Sequence, residues 1–195
     1  AGAPPTVDAT ATTTDDSGTV VPYTFGDWTN HDVVINFSAI NEADPLTEIT
    51  DFTYTLSGAT TGSGSNHSLT ISNEGETTIT VKAIDEEGNE SPLKTFTVKI
   101  DKTDPNPIHT GPYTVDEGTT ISLDGTASTD ALSGVASTAW SSDEDDVFDD
   151  GDPADFYAVD GPATHTVKLR VRDVAGNETV ATTSVTVLNV PPTIE

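Results

Sequence analysis

Cysteine is absent from the 195 residues, which excludes a disulfide framework and any thiol chemistry. Basic side chains are nearly absent too: 7 lysines and arginines stand against 33 acids, a formal net charge of −26. So negative a surface repels phosphate backbones and excludes nucleic acid as a partner. Aromatics make up 6% of the chain, too few to line the sugar cleft of a glycosidase. No apolar run approaches the ~18 residues of a membrane span, so this segment is not expected to insert. The four histidines, His31, His67, His109 and His165, are scattered, and no Gly-x-Ser-x-Gly, His-Glu-x-x-His or phosphate-loop pattern occurs. The expectation is a protein that is not an enzyme. No secretion signal opens the chain, which runs from AGAPPTVDA to NVPPTIE; both ends read as cuts through a longer polypeptide.

What is present is a duplication. Thr80–Glu90 aligns with Lys168–Glu178: an alternating strand, then Asp-x-x-Gly-Asn-Glu, with Asp85 and Asp173 separated by 88 positions. The next strand repeats at the same offset, Thr95–Asp101 against Thr183–Asn189, and Pro-rich phrases follow each copy. The boundary therefore falls near Lys102–Asp104, giving modules 1–103 and 104–195. β-branched and aromatic segments with period two predict strands at Val33–Phe37, Phe52–Leu56, Thr77–Ala83 and Phe96–Ile100. The second half offers Thr119–Leu123, Val135–Trp140, Thr164–Val171 and Thr182–Leu188. Turn residues fill the gaps, and no helical period is sustained. Several short strands per module predict an all-β protein of two tandem immunoglobulin-like β-sandwiches in an elongated arrangement.

The second half resembles a PKD domain, the polycystin-type immunoglobulin-like module. The likeness rests on Gly111–Asp124, Ala127–Asp130, Ala139-Trp140 before an acidic loop, Thr164–Asp173 and the exit Val187–Thr193. Where relatives read Trp-Asp-x-Asp/Gly-Asp-Gly, this chain reads Trp140-Ser-Ser-Asp-Glu-Asp-Asp146. The first half resembles another bacterial Ig-like repeat, through Gly26–Asn30, Ile71–Gly75, Lys82–Asn89 and Lys99–Pro105. The resemblances imply spacers, adhesive stalks or accessory domains of large prokaryotic surface or secreted proteins.

Two groups of acids could carry chemistry. From Asp143 to Asp155 the chain holds eight acids and no base. Ca²⁺ takes six to eight oxygens from closely spaced carboxylates and carbonyls, and Asp143, Asp145 and Asp149 could converge on one ion. The alternative is a solvated acidic loop. The second group lies at the module junction, where Asp101 and Asp104 leave the first module and meet the pole expected to carry Asp130 and Asp173. The PKD resemblance implies Ca²⁺ bound by residues where the chain enters the module plus a pair of acids in the Asp130 loop; the second of that pair is Leu132 here. The alternative is ordinary turn chemistry, since Asp caps its own turn and Gly-Asn tolerates positive φ. Trp140 is expected in the core. Trp28 either packs at a strand start or offers its ring to a sugar.

The reading is a non-catalytic spacer of an extracellular surface protein, stabilised by Ca²⁺, whose partners are neighbouring Ig-like or PKD modules. Surface glycan and self-assembly are further candidate partners. The alternative is an accessory carbohydrate- or protein-binding module of a secreted hydrolase.

Overall fold

The computed structural model describes residues 2–43 and 45–191. The protein is all-β and divides into two compact units, Ala1–Lys102 and Thr103–Glu195. Each is an immunoglobulin-like β-sandwich.

In the first unit, β1 (Thr6–Thr14), β2 (Val20–Pro22), β4 (Val33–Ile40) and β7 (Ser68–Ile71) form one sheet in the order β2-β1-β4-β7. The facing sheet takes β3 (Trp28–Thr29), β5 (Ile49–Gly58), β6 (Gly62–Gly64), β8 (Gly75–Asp85) and β9 (Lys94–Ile100), ordered β3-β9-β8-β5-β6. Successive side chains of a strand point to opposite faces, and β8 shows the consequence: Thr77, Ile79, Val81, Ala83 and Asp85 are buried, while the residues between them are half-buried. They close against Val33, Ile35, Phe37, Ile71, Val98 and Ile100. β-branched side chains suit such a face because they are stiff at χ1 and pack well on the pleat.

The second unit uses β10 (Tyr113–Asp116), β11 (Thr120–Leu123), β12 (Val135–Ser141), β13 (Ala154–Tyr157), β14 (Ala163–Asp173) and β15 (Glu178–Leu188). One sheet runs β10-β15-β14-β12 and the other pairs β11 with β13. Trp140 lies fully buried among Leu123, Val167, Leu169 and Val185, and the rings of His109 and Tyr113 meet it edge to face with centroids 6.0 and 6.4 Å away. Trp28 is half-buried in β3, and the Lys99 ammonium sits 5.8 Å from its ring centroid.

Every predicted strand is present. Two further elements carry only a weak apolar alternation. β1 turns only one valine and two alanines inward, Val7, Ala9 and Ala11, and pairs with β4 from Thr6↔Ile40 to Thr12↔Val34. β13 begins at the end of the stretch of eight acids: Asp155 is a strand residue paired with Ser122, which corrects its assignment to an acidic loop. The sheet recruits it because Ala154, Phe156 and the following Ala158 face the core.

All seven basic side chains form ion pairs: Lys82–Glu90, Lys94–Asp8, Lys99–Glu76, Lys102–Asp32, Lys168–Asp146, and Arg170 and Arg172 with Glu178. Such surface pairs contribute about 0–1 kcal/mol each. Against 33 acids they leave net repulsion as the larger electrostatic effect.

Candidate cation site of the second module

Two equivalent core strands of eleven residues end alike. β8 closes on Asp85 and β14 on Asp173, each continuing the buried face with a carboxylate, 2% and 4% exposed. A buried charge needs donors, and the Asp-x-x-Gly-Asn turn supplies them. Asp173 Oδ1 accepts the N–H of Gly176 (2.7 Å) and Asn177 (2.8 Å), and Oδ2 accepts Asn177 Nδ2 (2.7 Å). Asp85 Oδ1 accepts from Glu87 and Asn89 N–H (3.1 and 2.8 Å), and Oδ2 accepts Asn89 Nδ2 (2.9 Å). In both turns the fourth residue is a glycine at positive φ, Gly88 (82°) and Gly176 (106°).

Burial works against ionisation of Asp85, but its hydrogen bonds, led by Asn89, outweigh it and hold the pKa below the ordinary 3.8. A depressed folded-state pKa stabilises the fold above the unfolded value, and the contribution disappears as pH falls through the folded value. Urea unfolding is therefore expected to show stability falling below about pH 4, more steeply in the wild type than in Asp85→Asn. Equal slopes would assign the acid sensitivity to other groups.

The modules diverge one loop away. In the first, Thr6 pairs with Ile40, and Asn41 follows. In the second, Asn106 pairs with Thr129, and Asp130 follows. Both loops connect equivalent strands, β4 to β5 and β11 to β12, so Asn41 and Asp130 hold the same position. Asn41 Nδ2 donates to Ala3 O (2.9 Å) and reaches Asp85 Oδ2 at 3.4 Å. An amide there ties the carboxylate to the chain's lead-in segment. Asp130 places a second carboxylate instead, with an oxygen within 4.8 Å of one on Asp173. Asp130 is half-buried, and its Oδ2 accepts Leu132 N–H (3.0 Å) and Gly134 N–H (2.7 Å).

The lead-in segment of the second module runs past both acids. Thr103 O accepts Asn177 Nδ2 at 3.2 Å, beside Asp173. Asp104, exposed, lies two residues before Asn106, the partner of Thr129. Asp101, buried, follows β9 in the first unit and donates its N–H to Thr29 O at 2.9 Å.

In the acidic loop the carboxylates are distributed among separate tasks. Glu144 Oε1 accepts Thr166 N–H (3.0 Å), Asp146 pairs with Lys168, and Asp150 Oδ2 accepts Ser142 N–H and hydroxyl (2.7 and 2.8 Å). Glu144 and Asp146 take positive φ, 67° and 63°. Asp143 and Asp145 adjoin: the hydrogen bond and charge of Asp145, with burial between them in weight, push the Asp143 pKa up. Asp149 is exposed. Asp152, the other acid counted in this loop, instead turns inward. Its Oδ1 accepts Trp140 Nε1 (3.1 Å) and Gly125 N–H (2.8 Å). No sequence motif marked Asn41 or Asp152, because their partners lie across the sandwich.

The sequence matches no family model and no curated protein. Among solved structures it is similar to fibronectin(III)-like modules of Clostridium thermocellum CbhA, at 18% identity over 84% of this chain and 88% of that one, TM-score 0.39. It is similar to the first three extracellular cadherin domains of mouse PcdhgC3, at 12% identity over 97% and 78%, TM-score 0.40. It is also similar to Bacteroides ovatus SGBP-B, solved with a mixed-linkage heptasaccharide, at 14% identity over 83% of this chain but 42% of that one, TM-score 0.30. The immunoglobulin-like assignment rests on the sheets themselves.

Proposed function

We propose that the chain is a non-catalytic spacer segment of an extracellular prokaryotic surface protein, a bacterial Ig-like repeat followed by a PKD-type module, and that Ca²⁺ stabilises it where the second module begins. The observation that carries this reading is the pair Asp130 and Asp173, with oxygens within 4.8 Å at the position where the first module sets an amide against a carboxylate. Two carboxylates that close repel unless a cation lies between them. Ca²⁺ suits them, being a hard cation that accepts carboxylate and carbonyl oxygens in flexible geometry. Asp104 and Thr103 O stand in the lead-in segment of the same module and supply further oxygens. Asp143, Asp145 and Asp149 form a second, weaker candidate, supported by the adjoining Asp143 and Asp145 carboxyls.

A cation at the start of a module orders its lead-in segment, which serves a spacer placed among neighbouring modules. The carbohydrate-accessory reading draws little from Trp28, whose ring is half-buried under Lys99.

Calcium titration of the metal-free chain, followed by calorimetry and metal quantification, is expected to give a saturable site whose heat is lost in Asp173→Asn. Binding that never saturates, or is unchanged in the variant, would reduce the acids to a solubility device.

A further inference from the structure

The equivalent strands β8 and β14 are covered differently. In the first module β5 runs beside β8 from Ile49↔Asp85 to Gly58↔Thr77. In the second, β12 runs beside β14 from Val135↔Asp173 and stops at Ser141↔Lys168. Ala163–Val167 therefore carry β15 on one edge and, among the described residues, no strand on the other. Backbone groups of alternate residues point out of such an edge. Thr166 N–H does so, and it is met by the side chain of Glu144, whose Oε1 accepts at 3.0 Å where a strand carbonyl would stand. By the same alternation Thr164 points outward.

Beside this edge lies a groove of about 500 Å³ between β13, the start of β14 and the acidic loop. Asp143, Glu144, Asp155 and Asp160 line it, with no lysine or arginine among its described lining residues. Tyr157, 59% exposed, and Val159, 78% exposed, are the large exposed apolar side chains in its lining.

We propose that the open edge of β14 between Ala163 and Val167 docks an extended, lysine- or arginine-bearing segment of a partner polypeptide as an added strand. Main-chain hydrogen bonds to an exposed edge supply affinity in this mode of recognition, and side-chain pockets supply selectivity. Here the acids select bases on the incoming strand, and Tyr157 with Val159 receive an apolar side chain. The incoming carbonyl takes over Thr166 N–H, and the displaced Glu144 carboxylate is free to pair with the partner's base. Charge argues against a second copy of this chain as the occupant, since each copy carries −26.

The test titrates the full chain with two short peptides of identical charge, one alternating lysine and valine, the other interrupted by prolines that cannot join a ladder. The alternating peptide is expected to bind roughly tenfold more tightly, about 1.4 kcal/mol. It should shift the amide resonances of Thr164 and Thr166 and protect them from hydrogen exchange. Replacing both Asp155 and Asp160 with Asn, two exposed groove acids, is expected to weaken it by roughly tenfold again while leaving the melting temperature in place. Equal binding of the two peptides would reduce the effect to bulk charge and overturn the proposal. So would shifts confined to other strands. Amide shifts produced by a neutral gluco-oligosaccharide and by neither peptide would make the groove a sugar site, and concentration-dependent dimerisation that protects the same amides would make it a self-contact.

Discussion

Saturating calcium is expected to raise the thermal unfolding midpoint of the second module by roughly 10–20 °C over EDTA. A ligand at 100 times its dissociation constant adds about 2.7 kcal/mol to the folded state, and a domain of this size shifts by about 4–8 °C per kcal/mol. Asp173→Asn is the informative variant. It keeps Oδ1 for the Gly176 and Asn177 N–H groups but gives up the Asn177 Nδ2 bond to Oδ2 and the charge that faces Asp130, so the module should lose some stability in EDTA and its calcium increment should vanish. Asn41→Asp tests the converse. It recreates in the first module the carboxylate pair of the second, and should destabilise that module in EDTA and recover part of the loss in calcium. Sodium chloride is the control: it screens 33 acids at once and should raise the midpoints of wild type and variant alike. A calcium increment that persists in Asp173→Asn and matches sodium chloride at equal ionic strength would overturn the site.

The second large effect concerns Asp152. Trp140 is fully buried, and its Nε1–H finds its acceptor in Asp152 Oδ1, which also receives Gly125 N–H. Gly125 can approach because it lacks a side chain: a Cβ there would lie 2.6 Å from Leu169 Cδ1 and 3.1 Å from Asp152 Oδ2. Asp152→Ala leaves two donors facing apolar surroundings, each costing about 1–3 kcal/mol. Urea unfolding is expected to show a loss of roughly 2–4 kcal/mol, with a red-shifted tryptophan emission as water reaches the ring. Asp152→Asn retains an oxygen at the Oδ1 position and should lose less than half as much. If alanine and asparagine cost the same, the carboxylate's charge matters more than its hydrogen bonds to Trp140 and Gly125.

The legible strands were those in which burial writes itself as alternation. Thr77–Ala83 and Thr164–Val171 announce their inner faces because alternate residues are β-branched or other apolar side chains, and Trp140 was expected in the core from its place on the central strand of an immunoglobulin-like sandwich. β1 gave only a faint signal, since its inner face is one valine and two alanines, Val7, Ala9 and Ala11, and it leans on pairing with β4. β13 was masked by composition: Asp155 points outward from a strand whose inner face is only Ala154 and Phe156, and that face is too short, beside a stretch of eight acids, to read.

The candidate site divides the same way. The repeat of Asp85 and Asp173 was visible 88 residues apart, because a turn that caps itself needs fixed residues at fixed spacing. The correspondence of Asn41 with Asp130 was not visible, because the two loops share no motif and are matched only by their pairing to each module's lead-in segment. The sequence by itself determined the strand content, the duplicated turns and the excess of acid, since each depends on local alternation, local hydrogen bonding or composition. Tertiary structure alone decided which acids became neighbours, that Asp152 serves Trp140, and where β12 ends beside β14. Those outcomes depend on register between strands far apart in the chain, and register is settled by the packing of the whole sandwich.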